Sequence, residues 1–221
     1  MNVSDAVIER RSVRGFLDKE VPLEVLKALA LKSARAATGG NIQPWHIDIV
    51  TGAKLDELKA IMRGKIERRE TETPGYDIYP REMTDATKAR TQQIGEIMYG
   101  HLGIPRDDKR ARAMWFARNF QFFGAPAAYF VTVDRRMGPP QWSDLGMYLQ
   151  NLMLLAVEAG LATCPQECWA VYPKTVEAFL GTPAERMLFC GVAIGYEDAA
   201  DPANRTRSPR APEEEWLTVL A

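Results

Sequence analysis

The stretch from Ser143 to Ala159 constrains this chain most. Its apolar residues recur at helical spacing yet cover most of the helix surface: Leu145, Tyr148, Leu149, Leu152, Met153, Leu155 and Ala156, with Gly160 at the expected stop. A helix apolar on most faces has to be buried, inside a sizeable core or against another subunit. The chain has 221 residues, enough for one large domain with such a core. No apolar run approaches the roughly 18 residues that a membrane span requires.

The rest of the chain supplies partners for that helix. Ser4 is expected to cap a short helix over 5–10 with Val7 and Ile8 facing inward, and Pro22 to open a second helix carrying Val25, Leu26, Leu29 and Ala30. Trp45, Ile47 and Ile49 alternate as a strand, and Lys54 to Met62 is again helical. Residues 63–82 are polar, with Pro74, Gly75 and Pro80, and read as an irregular surface excursion that can serve as a lid. Helical patterns over 84–99 and 106–121 complete a 63–120 insertion. Ala128 to Val133 reads as an interior strand, 161–166 and 187–194 as two more, and 173–180 as a short helix. The segment 197–221, rich in Pro, Asp and Arg before an apolar end, reads as an arm. The expectation is a single α+β domain over 1–221, with a central mixed, mostly antiparallel sheet flanked by helices.

Lys+Arg 28 against Asp+Glu 29 leaves a net charge of -1, so no global field attracts nucleic acid or an anionic membrane. Any anion binding must be local. The first residues, MNVSDAVIERR, lack the apolar core of a signal peptide, which suggests a cytoplasmic protein. Cys164, Cys168 and Cys190 are too few for a disulfide framework. His46 and His101 are too few for a His-rich metal site, and no metal is expected.

Common enzyme signatures are missing: there is no G-x-G-x-x-G, P-loop, G-x-S-x-G or H-E-x-x-H. Two arginine clusters remain, Arg10-Arg11-Ser12-Val13-Arg14 and Arg205-Thr206-Arg207-Ser208-Pro209-Arg210. If extended, the first would present residues 10, 12 and 14 on one side, where arginine forks and a serine hydroxyl suit a phosphate. A short arginine cluster alone is more often a solvated face. Thr38-Gly39-Gly40-Asn41-Ile42-Gln43-Pro44-Trp45 permits close backbone approach to a heterocycle, or is simply the loop that stops a helix. Cys164-Pro165-Gln166-Glu167-Cys168 lacks the redox Cys-x-x-Cys spacing, so its thiols read as bystanders.

Taken in order, four pieces resemble the nitroreductase family of FMN-dependent oxidoreductases along essentially the whole length. They are Glu9 to Phe16, Asn41 to Trp45, Gly160 to Gln166, and Gly191 to Tyr196 followed by Asn204 to Arg207. The resemblance implies a homodimer with two FMN molecules at the subunit interface and the C-terminal arm exchanged between subunits. It implies that the Arg10-Arg11-Ser12 run, with Arg205 and Arg207, holds the phosphate or ribityl chain, and that Arg14 lies near the pyrimidine edge. Thr38, Gly39 and Asn41 of the partner subunit would complete the site. The Gln166-Glu167-Cys168 loop would lie beside the ring, with the Glu167 backbone N–H at flavin N5. Cys168 stands where some relatives have glycine, and Arg14 where some have lysine. The implied reaction takes a hydride from NAD(P)H through FMN to a small electron-poor acceptor, a nitroaromatic or quinone. The tyrosines at 76, 79 and 99, with Arg106, resemble a branch that includes nitroaromatic acid reductases. Flavin reductase and reductive dehalogenase activities use the same socket, and a flavin-binding protein without turnover is the rival from another class.

Overall fold

The computed structural model describes residues 1–220. Strands β1 (His46–Thr51), β2 (Ala127–Asp134), β3 (Ala162–Gln166) and β4 (Arg186–Gly195) form one sheet in the order β1-β2-β4-β3. All three strand pairings are antiparallel. The parallel component expected of a mixed sheet is reduced, among the described residues, to the isolated bridge between Ser12 and Thr163.

β2 sits inside the sheet, and its residues alternate between two apolar layers. Ala127, Tyr129, Val131 and Val133 pack with Leu26 and Leu29 of α2 (Leu23–Ser33) and with Leu145, Leu149 and Leu152 of α6 (Pro139–Glu158). Ala128 and Phe130 pack with Leu55, Leu58 and Met62 of α3 (Gly52–Glu67) and Trp115 of α5 (Lys109–Ala117). With both faces covered, β2 reads as an unbroken apolar run. Helices α4 (Asp85–His101) and α7 (Pro173–Leu180) complete the α3/α5 side. Among the described residues no helix is long and apolar enough to cross a membrane.

The N-terminal helix α1 (Val3–Glu9) differs from the sequence expectation. Asn2, not Ser4, is the cap: its side chain accepts from the Asp5 N–H while Asp5 reaches back to the Asn2 N–H. The earlier start turns Ala6 inward and leaves Val7 and Ile8 exposed. A second difference lies at the end of α5. The expected helix to 121 gives way at Arg118 to a 3-10 turn ending at Gly124, in which Phe122 and Phe123 adopt left-handed backbone with φ of 51° and 55°. That conformation costs about 1–2 kcal/mol per residue. Burying both rings, with Phe122 stacked on Trp169 at 4.7 Å, contributes about 1.5–3 kcal/mol each and offsets it.

Trp169 also explains one glycine. A Cβ added at Gly191 on β4 would lie 2.5 Å from the Trp169 ring, which is wholly buried and has no room to retreat. Gly191→Ala is therefore expected to destabilise the protein by about 1–3 kcal/mol, the usual cost of overpacking. It should also displace the 167–171 turn that carries Trp169. A thermal melt equal to that of the parent would show that the turn yields freely.

Candidate functional site

The two arginine clusters, at opposite ends of the chain, meet. The Arg14 N–H donates to Asn204 Oδ1 at 2.7 Å, and Asn204 Nδ2 donates to the carbonyls of Gly15 and Asp198, each at 2.8 Å. Asn204 is buried, as are Ala203 and Thr206. This corrects the view of 197–221 as an arm from its first residue: the chain packs on its own body through Thr206 and becomes an exposed arm only from Arg207.

Around this clasp the extended 10–14 segment sorts its residues by alternation. Val13 points into the core. Arg11 forms an ion pair with Glu197 and lines a small cavity beside Thr163, so its guanidinium is engaged away from its neighbours. Arg10 and Arg14 have no carboxylate partner among the described residues, and neither do Arg205, Arg207 and Arg210. Partial burial holds the Arg10 guanidinium below its ordinary pKa, and the nearby charge of Arg210 adds to the effect. Arg210, the last cation of the C-terminal cluster, is the one whose charge Arg10 feels. Arg207 Nη1 donates to the carbonyls of Asn204 and Thr206 at 2.8 and 3.1 Å. Two unneutralised guanidinium groups this close favour an anion between them.

Arg14 opens onto a cleft of about 480 Å³ between α4, α5 and the 165–168 loop. Its walls are largely aromatic, with Tyr79, Tyr99, Trp115, Phe116 and Phe123, and Glu167 and Cys168 lie at its floor. The Gln166 side chain is spent on structure: Nε2 donates to the Asn119 carbonyl at 2.8 Å, and Oε1 accepts from Trp169 Nε1 at 3.3 Å. It fixes the loop's path, so any ligand contact there falls to the backbone. Burial raises the Glu167 carboxyl pKa. Burial pushes the Cys164 thiol up to about 11 and raises Cys168 as well, which keeps both protonated and unreactive.

Residues 68–84 contain neither helix nor strand and run across to α7. Glu72 accepts from the Lys174 and Thr175 N–H groups at 2.8 and 3.2 Å, so a distant carboxylate caps α7. The Gly75 N–H donates to the Ala170 carbonyl at 2.9 Å, and the Tyr76 hydroxyl donates to the Phe189 carbonyl. Anchored at 70–76, the segment brings Ile78 and Tyr79 to the cleft rim. The turn at Thr38, Gly39 and Asn41 lies elsewhere, on the α2/α6 side, where the Gly39 N–H donates to Asp144 Oδ2 at 3.3 Å. No hydrogen bond among the described residues joins it to the Arg14 cleft.

Sequence reasoning missed Asn119 and gave Asn204, though part of a quoted motif, no role. Both act through contacts, 47 and 190 residues away in sequence, that no local pattern reveals.

A comparison with protein families matches residues 7–196 to the nitroreductase family, and the chain belongs to that family. A 4-nitrobenzoate reductase of Nocardioides sp. (strain LMS-CY) is 33% identical over 98% of this chain and 89% of its own length. The crystal structure of an FMN and NADPH-dependent nitroreductase, NfnB, from Sphigopyxis sp. strain HMH superposes with a TM-score of 0.96 at 44% identity, covering 100% of both chains. The FMN-dependent NfnB of Mycobacterium smegmatis, in complex with NADPH, gives a TM-score of 0.92 at 29% identity, again over 100% of both. The antiparallel sheet with helices on both faces is thus the nitroreductase fold, and the chain is an oxidoreductase of that type.

Proposed function

We propose that this chain is an FMN-dependent NAD(P)H oxidoreductase that reduces small electron-poor acceptors, nitroaromatics foremost. One observation carries the reading: the Asn204 clasp brings the C-terminal arginine segment to the N-terminal one, whose Arg14, without a carboxylate partner, opens onto an aromatic cleft lined by the 165–168 loop. The donor set suits FMN, with guanidinium groups for its phosphate, a further guanidinium for the electron-rich edge of its ring, and apolar walls for the ring faces. Bound there, FMN supplies two-electron hydride chemistry between a reduced nicotinamide and the acceptor.

The residues divide the remaining work. Arg10 and Ser12, with Arg205, Arg207 and Arg210, hold the phosphate and ribityl chain. Arg14 sets a positive charge beside the pyrimidine edge, which favours added negative charge there. The Glu167 backbone N–H serves as the donor to N5. Aromatic walls and the Ile78-Tyr79 rim keep water from the cleft. We assign Thr38, Gly39 and Asn41 of the partner subunit to the second wall, which makes the working unit a homodimer. One FMN-binding domain then spans 1–221, with 63–120 as its lid, and acts in the cytoplasm on a small molecule.

The purified protein is expected to be yellow and to release FMN, not FAD, on denaturation. Under anaerobic conditions NADPH or NADH should bleach the flavin, and a nitroaromatic should restore its colour. Steady-state lines should be parallel, since both substrates use one cleft in turn. A yellow protein that neither nucleotide bleaches would be a passive flavin binder, and the reading would fail.

A further inference from the structure

We propose that Arg112 forms, with Tyr99, a subsite at the α5 end of the cleft that reads an anionic group on the molecules entering it. This rests on the oxidoreductase reading above and extends it to the choice of substrate. The group is either the carboxylate of a nitroaromatic acid or the 2′-phosphate that distinguishes NADPH from NADH.

Arg112, Phe116 and Asn119 recur four and three residues apart along α5 and the turn that follows it, so they share one face. Phe116 and Asn119 line the cleft, and Arg112 stands one turn beyond them on the same stripe. Its guanidinium lies over the Tyr99 ring, 4.1 Å from the centroid, and Tyr99 is itself a cleft wall. Arg112 Nε donates to the Pro105 carbonyl at 3.0 Å. The stacked ring and the carbonyl fix the plane of the fork, and Nε is the only nitrogen they use.

Neighbouring cations are differently placed. Arg106 is paired with Glu96 at 3.3 Å, and Arg118 with Asp201 at 3.4 Å. Asp108 accepts from the Ala111 N–H as the cap of α5. Among the described residues no carboxylate pairs with Arg112. The five cations of residues 106–118 face four carboxylates, Asp107, Asp108, Glu96 and Asp201, of which the last two are engaged by Arg106 and Arg118 and Asp108 by the helix cap. A held, half-buried, unpaired guanidinium beside a substrate cleft is set to form a charge-assisted pair.

The test compares FMN-loaded parent, Arg112→Gln and Arg112→Lys. One arm measures the KM ratio of NADPH to NADH, and the other that of 4-nitrobenzoate to nitrobenzene. In Arg112→Gln the charged-to-uncharged ratio is expected to rise about 10- to 100-fold in at least one arm, the loss expected of one charge-assisted contact. A rise in the first arm identifies the 2′-phosphate, and in the second the carboxylate. Arg112→Lys, which keeps the charge without the planar fork, should recover part of the ratio. Titrating the oxidised proteins with NADP+ and NAD+, followed through the flavin spectrum, gives the same comparison without turnover. Ratios unchanged in both arms, or a lysine variant no better than glutamine, would overturn the proposal and leave Arg112 as a prop for Tyr99. Failure of the parent to turn over at all would instead fall on the oxidoreductase reading.

Discussion

Arg10→Ala is expected to weaken FMN binding by about 10- to 100-fold, since a lost charge-assisted contact costs about 1.5–3 kcal/mol. The same substitution should leave the flavin-free protein no less stable. In the structure Arg10 has no carboxylate partner and lies within reach of the Arg210 charge, so removing it relieves a repulsion. Affinity and flavin-free stability are thus predicted to separate. Fluorescence titration with FMN and melts of the stripped protein measure the two. If Arg10→Ala binds FMN like the parent, or if its stripped form melts markedly lower, Arg10 is a structural residue and the phosphate lies elsewhere.

Removing residues 212–221 should dissociate the homodimer proposed above and lower FMN retention together. The arm ends in Trp216, Leu217, Val219 and Leu220, which are 68%, 44%, 76% and 93% exposed on the isolated chain. Among the described residues, the ion pair that joins this end to the body of its own chain is that of Glu215 with Arg90 on α4, a surface pair of small value. Covering one Trp and three aliphatics contributes on the order of 6–10 kcal/mol gross, at about 1.5–3 kcal/mol each, before the entropy of ordering the arm. The arm exchange between subunits that the family resemblance implies would provide that cover. Sedimentation, flavin content and melting temperature would show the coupled loss. A truncated protein that remains a flavin-loaded dimer with an unchanged melt would refute the exchange.

Periodicity made much of the fold legible. β2 could be read because burial on both sides leaves a continuous apolar run, and α6 because its buried residues, Leu145, Tyr148, Leu149, Leu152, Met153 and Ala156, recur at helical spacing. The α1 cap was misplaced because Asn2 and Ser4 are both competent caps, and the reciprocal bond from Asp5 decides between them. The break after Ala117 is hidden in the sequence because Phe122 and Phe123 take a backbone conformation that their residue type disfavours, offset by burying Phe122 against Trp169 and Phe123 against Trp115. In the site, the ordered motifs pointed to the N-terminal arginine run, and the structure brings the backbone of Arg14 to Asn204 and its side chain to the cleft. What the sequence left unseen is how side chains are spent: Arg11 on Glu197, Gln166 on Asn119. Such pairings depend on what distant segments bring alongside.

The Asn204 clasp also bears on when the site can exist. It joins Arg14 to a residue 190 positions later, so the socket closes a loop of nearly the whole chain. A nascent chain can assemble α2, β1 and α3 from local contacts, but it cannot form this socket until its C-terminal residues have left the ribosome. Flavin capture would then be among the last events of maturation. For the same reason, fraying at the C-terminal end should open the cofactor site long before the β2 core loosens.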